Sequence, residues 1–211
     1  MNKVLLFGSD GGLAHFGHAS LALHATGEEV VDLGVAHTEK SDAKRKVLAA
    51  DDEVRRAREL CVLLDAAIPA GCRAICAESM SHPRNASAAG KLKMSWGVLV
   101  YAAHARNLAI LQASPQEIKK ALTGRKDASK EDIARALADR YGDKPARILD
   151  AKKIPNGKRE HAYDALASIV ACLNSEVVRM LRAGLDLPAI DAARRLGANV
   201  GDGVLPSSIG A

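Results

Sequence analysis

The chain has 211 residues, 48% hydrophobic and 26% charged, enough for one well-buried domain and too few for two. No apolar run approaches the roughly 20 residues of a membrane span, and no basic segment leads an apolar stretch at the N-terminus, so neither a membrane partner nor a secretory signal is expected and the cytoplasm is the expected compartment. The formal charge of +5 admits a polyanionic partner without requiring one.

Residues 3–9, 19–25 and 29–36 read as three strands of a meander. The first is followed by a Gly-rich turn and the second closes at Thr26-Gly27. Gly11, Gly12 and Gly17 would let another backbone, such as a phosphodiester, approach closely. From about 47 to 67 apolar residues recur at helical spacing, until Pro69 and Gly71 stop them. Residues 73–77 read as a short buried strand and 79–85 as a loop. Residues 86–106 read as a long helix rich in Ala and Gly, and 108–112 as another strand. Ser114-Pro-Gln-Glu117 is a capping box with proline at the first helical position, opening a helix that stops near Gly124. Ser129-Lys-Glu-Asp132 resembles a second cap, for a helix reaching about Tyr141. Residues 142–157 read as a polar connection and 159–182 as a last long helix. Residues 1–183 form the expected folded domain and 184–211 an arm or disordered tail. This order predicts an α/β fold: a mixed five-stranded sheet, antiparallel meander first, then parallel strands joined by helical crossovers.

Aromatic residues make up only 3% of the chain, so the core must be built from Ala, Leu, Val and Ile. Cys61, Cys72, Cys76 and Cys172 lack zinc-finger spacing and read as free, buried thiols. From Ser114 to Arg159 there are 13 Lys and Arg against 7 Asp and Glu, a net of +6, so the rest of the chain carries about −1. A positive block within one segment is a candidate nucleic-acid footprint.

Three acids lie at the ends of predicted elements. Asp10 ends the first strand, Glu78 ends the fourth, and Asp164 opens the apolar part of the last helix. His161 shares a helix face with Asp164 at i, i+3. If the first and fourth strands are neighbours, Asp10 and Glu78 meet at their C-terminal ends and the last helix presents His161 and Asp164 to them. Clustered carboxylates repel unless cations neutralise them, and hard oxygen ligands suit Mg²⁺ or Mn²⁺. Two such ions about 4 Å apart activate a water and stabilise the leaving oxygen of a phosphodiester.

These segments resemble the RuvC family of Holliday junction resolvases, within the RNase H-like superfamily. Gly8-Ser-Asp-Gly-Gly-Leu-Ala-His-Phe-Gly17 is similar to the family's first-strand pattern. Cys76-Ala-Glu78 with Asn85-Ala-Ser-Ala-Ala89 is similar to its second acid and following helix. His161-Ala-Tyr-Asp-Ala-Leu-Ala167 is similar to its last helix in the His-containing form. The resemblance covers residues 3–182 and implies an RNase H-like nuclease domain. It further implies a dimeric, Mg²⁺-dependent (or Mn²⁺-dependent) endonuclease that nicks paired strands of a four-way DNA junction. Asp10, Glu78, Asp164 and His161 would then hold two metal ions. Lys119 and Lys130 would contact phosphate near the scissile bond, and Arg84, Asn85, Lys120, Arg125 and Lys126 would line the DNA path. The chain departs from the family at Gly11, where the family has proline, and at Phe16, where it has threonine. It departs again at Ser81, where an aromatic thought to stack on an unpaired base is usual. The connection 142–158 and the tail are long for the family.

Other readings stay open on the sequence. One is a branched-DNA-binding protein that has lost cleavage. Another is an RNase H-like enzyme of RNA processing. A phosphotransferase of the actin or sugar-kinase type also opens with an acid and a Gly-rich hairpin, but it needs two such domains. The long Ala-rich helix, with its small residues, is the expected dimer surface.

Overall fold

A computed structural model describes residues 3–24, 27–42, 48–80 and 85–183. The expected arm or tail at 184–211, and Arg84, Ser81 and His82, lie outside the described residues. The elements run β1 (Val4–Asp10), β2 (His15–His24), β3 (Gly27–His37), α1 (Ala49–Ala67), β4 (Cys72–Glu78), α2 (Ala86–Ala105), β5 (Ala109–Ala113), α3 (Pro115–Thr123), α4 (Lys130–Tyr141), α5 (Lys144–Ala151), α6 (Arg159–Cys172) and α7 (Glu176–Arg182). A 3₁₀ turn, Asn156–Lys158, leads into α6.

The five strands form one mixed sheet in the order β3-β2-β1-β4-β5. β1, β2 and β3 pair antiparallel, while β4 lies parallel to both β1 and β5. Strand side chains alternate between faces, and each face feeds its own core. On one side Phe7, Phe16 and Ile75 pack with Leu60 and Leu64 of α1 and Leu99 and Ala102 of α2. On the other, Leu6, Ala19, Leu21, Leu33 and Ala74 pack with Ala165, Leu166 and Ile169 of α6. Small and aliphatic residues dominate, as the composition requires, but both phenylalanines are fully buried. Among the described residues no helix is long and apolar enough to cross a membrane.

α6 is apolar on nearly all sides because it lies between the sheet and α3 and α4. Ala162, Ala165, Leu166, Ala167, Ile169 and Val170 are all buried. It comes unusually close to the strands. A Cβ on Gly8 of β1 would overlap the Ala165 carbonyl, and a Cβ on Gly17 of β2 would overlap the His161 carbonyl. Only glycine admits a helix backbone at that distance. Gly17 therefore does receive another backbone, but it is the chain's own helix and not a phosphodiester. Gly12 is crowded by the His15 carbonyl, whereas Gly11 has ordinary room against Ser95 and Trp96.

Three expectations are corrected. β2 begins at His15, not Ala19, because Gly17 is a strand residue under a helix and not part of a turn. The polar connection after Gly142 contains α5. Pro145 stands in its first turn, where a missing N–H is no loss, and Pro145 and Leu149 are buried. The last long helix is two helices: α6 ends at Cys172, and α7 restarts on Ser175, whose hydroxyl accepts from the Val178 N–H. Both predicted caps are formed. Ser114 with Glu117, and Ser129 with Asp132, bond reciprocally through side chain and backbone. All four cysteines are free; three are buried and Cys61 is half-buried.

Candidate active site

Parallel pairing of β1 with β4 sets Ser9 beside Ala77, so the next residues, Asp10 and Glu78, leave the sheet at the same edge. α6 crosses behind them, held down on Gly8 and Gly17, and presents His161 and Asp164 one turn apart. His161 Nδ1 lies 2.7 Å from Asp10 Oδ2, joining residues 151 positions apart in the chain.

The electrostatics report a cluster of acids. Glu78 is pushed up to about 7, first by burial and then by the negative charges of Asp10 and Asp164, with Lys130 and Lys119 opposing. Asp164 is pushed up to about 6, again by burial first and then by Asp10. His161 is held above its ordinary value, mainly by its hydrogen bond to Asp10. Burial and mutual repulsion both disfavour the carboxylate forms, and a bound cation relieves both. The donor set of three carboxylates and one imidazole fits a hard divalent ion. Among the described residues no three His, Cys, Asp or Glu side chains meet around one point.

Lys130 bonds Glu160 at 2.7 Å, and its charge acts on Glu78 and Asp164. Lys119 is half-buried on α3 and acts on Glu78. The other predicted contacts stand further out. Lys120, Arg125 and Lys126 are exposed around the α3–α4 turn, and Arg125 pairs with Asp127 at 3.2 Å. Asn85 caps α2, its side-chain oxygen accepting from the N–H groups of Ser87 and Ala88.

Sequence reasoning passed over two histidines. His15 stacks on His161 with ring centroids 5.7 Å apart, and also on His37 at 4.6 Å. Burial, then the charge of Lys158, holds His15 below its ordinary value. Nothing in the local sequence marks this pair. It appears only once the β2–β3 register sets His15 opposite His37.

Comparisons agree with this frame. Residues 6–172 match the family model described as Crossover junction endodeoxyribonuclease RuvC. Among relatives of that name, the Pseudothermotoga lettingae protein is 28% identical over 78% of this chain and 90% of its own. The Natranaerobius thermophilus protein is 27% identical over 84% and 98%. Among solved structures, Thermus thermophilus RuvC in complex with a Holliday junction substrate superposes with a TM-score of 0.59 at 22% identity, covering 86% of this chain and 96% of that one. A second Thermus thermophilus RuvC structure gives 0.57, also at 22%, over 86% and 97%; at that identity the likeness speaks for the RNase H-like fold alone. The family match spans most of the chain and includes every element that carries the acids. This chain belongs to the RuvC family of crossover junction endodeoxyribonucleases.

Proposed function

We propose that the chain is a structure-selective DNA endonuclease that resolves four-way junctions by paired, symmetric phosphodiester nicks, working as a homodimer in the cytoplasm. The observation that carries the reading is the convergence of three acids from β1, β4 and α6, with His161 bonded to Asp10 and burial, then mutual repulsion, raising Glu78 and Asp164. Family nucleases depend on divalent metal. In this chain Asp10, Glu78, Asp164 and His161 would hold two ions, Mg²⁺ or Mn²⁺. When bound, such ions supply an activated water and charge stabilisation at the leaving oxygen. Lys119 and Lys130 bring positive charge to the same edge and would hold the phosphate there. Lys120, Arg125 and Lys126 extend that charge outward along the DNA. Arg84, by the family resemblance, and Asn85, at the start of α2, complete the proposed DNA contacts.

A gel assay tests this. Wild type and Asp10→Asn are incubated with a synthetic four-way junction and Mg²⁺ or Mn²⁺. Paired symmetric nicks are expected from wild type. In Asp10→Asn they should fall at least about a hundredfold, with junction binding retained. Equal cleavage by the variant would remove Asp10 from the site. A ribonuclease of RNA processing would instead cut structured RNA and leave the junction whole. A binding protein without cleavage would retard the junction and nick nothing.

A further inference from the structure

Beside the acids lies a second cluster of different chemistry. Lys158 Nζ is 2.7 Å from His15 Nε2, His15 Nδ1 is 3.0 Å from His37 Nδ1, and His37 Nδ1 is 2.9 Å from the Ala14 carbonyl. These three contacts cannot all be hydrogen bonds at once. An ammonium only donates, and a neutral imidazole carries one proton. If His37 donates to Ala14, a donor must face a donor. Either His15 points Nδ1–H at the His37 N–H, or it points Nε2–H at Lys158. An oxygen acceptor from outside the chain resolves that conflict.

The surroundings favour an acceptor that carries negative charge. Arg56 is buried, bonding the Thr38 hydroxyl at 3.0 Å and the Thr38 carbonyl at 3.4 Å. Among the described residues no carboxylate pairs with it, and its charge reaches His15. Of the nearby acids, Glu39 lies 3.8 Å from the far nitrogen of His37 and is mostly exposed, and Glu160, which feels the charge of Lys158, is bonded to Lys130 at 2.7 Å. His15, His37 and Lys158 share a cavity of about 440 Å³ with Val35, Ile154 and Pro155. Its apolar wall comes partly from the connection after α5, the stretch that is long for the family. His15, which lines this cavity, stacks on His161 of the acid cluster.

We propose that this cavity is a subsite for one nucleotide of the cleaved strand. The phosphate next to the scissile one accepts from Lys158 and His15, and its deoxyribose lies against Val35, Ile154 and Pro155. The subsite rests on the reading of the chain as a DNA-cleaving enzyme. It extends the substrate path beyond Lys119 and Lys130 to the cavity beside His15.

The test is binding of a fluorescent four-way junction by the metal-free full chain across a KCl series. Lys158→Ala should bind roughly tenfold more weakly, as expected for a lost charge-assisted hydrogen bond. The slope of log K against log[KCl] should fall by about one. Lys158→Arg should restore both. Single neutral methylphosphonates placed along the strand should include one position that weakens wild type by the same factor and leaves Lys158→Ala unchanged. An unchanged slope, or losses that add at every position, would overturn the subsite. Thermal melting checks folding, and Lys158→Gln gives an independent reading. A chain that binds single strands as tightly as junctions, with the same Lys158 effect, would overturn junction selectivity and leave the subsite standing. A chain that binds no DNA would overturn both.

Discussion

Glu78 and Asp164 make the metal-free protein sensitive to pH in a defined direction. Their folded values, about 7 and about 6, lie above the ordinary 4.5 and 3.8, so the folded state holds more protons than the unfolded one across that interval. Stability then falls as pH rises through it. His18, held down to about 4 by burial, acts the opposite way below its ordinary 6.5, so the melting temperature of metal-free protein should drop between pH 6.5 and pH 8, and Mg²⁺ or Mn²⁺ should raise it more at pH 8 than at pH 5. Equal stabilisation at both pH values would separate the acids from metal binding. His161 offers a second check. Its Nδ1 already faces Asp10, so a carboxylate at the same place could also serve a cation. His161→Asp should cleave the junction within about tenfold of wild type, while His161→Ala should lose roughly ten- to a hundredfold. Asp10 and Glu78 were legible in the sequence because each ends an apolar run, and Asp164 because it opens one beside His161. His15 and His37 were not, since the pairing that joins them is set by register across 22 residues of chain.

Local chemistry decided which elements could be read in advance. The helices beginning at Ser114 and Ser129 announce themselves with caps whose bonds form within four residues, so no knowledge of packing is needed. α5 lacks such a signal: Asp143 makes no capping bond through its side chain, and Pro145 resembles a turn residue until it is seen in a first helical turn. Its order comes from burying Leu149 against the rest of the fold. Where α7 restarts after α6, the hydroxyl of Ser175 caps it, with a backbone turn between the two helices. Contact between α6 and the sheet is testable directly. Gly17→Ala, which drives a methyl into the His161 carbonyl, should cost about 1–3 kcal/mol in chemical denaturation. It should also reduce cleavage, because His161 and Asp164 ride on the displaced helix. Gly11→Ala, with ordinary space around it, should stay within about 0.5 kcal/mol of wild type.

For the whole molecule, the parallel step from β1 to β4 brings residues 10 and 78 together, and the return of the chain through α6 adds residues 161 and 164. That convergence was expected from the order of elements, since strands joined by helical crossovers leave their C-terminal ends on one edge. The assembly of two copies is a separate matter. α2 buries Val98, Leu99, Ala102 and Ala103 against the sheet, but leaves Gly97, Val100 and Tyr101 outward. Apolar side chains beside a glycine on one exposed face suit close packing of a second helix. Tyr101→Glu should shift the protein from dimer to monomer in sedimentation equilibrium. Cleavage by the variant should become unpaired, one nick appearing without its mate. A variant that stays dimeric would place the interface elsewhere.

The seating of α6 on bare backbone has a consequence for how mutational scans of this protein will read. Gly8 and Gly17 should rank among the least tolerant positions, beside Asp10, although neither has a side chain that could touch a phosphate. A scan scored on activity alone will rank all three together. Abundance measured in parallel will part them, with the glycine variants depleted from the soluble pool and the Asp10 variants retained in full.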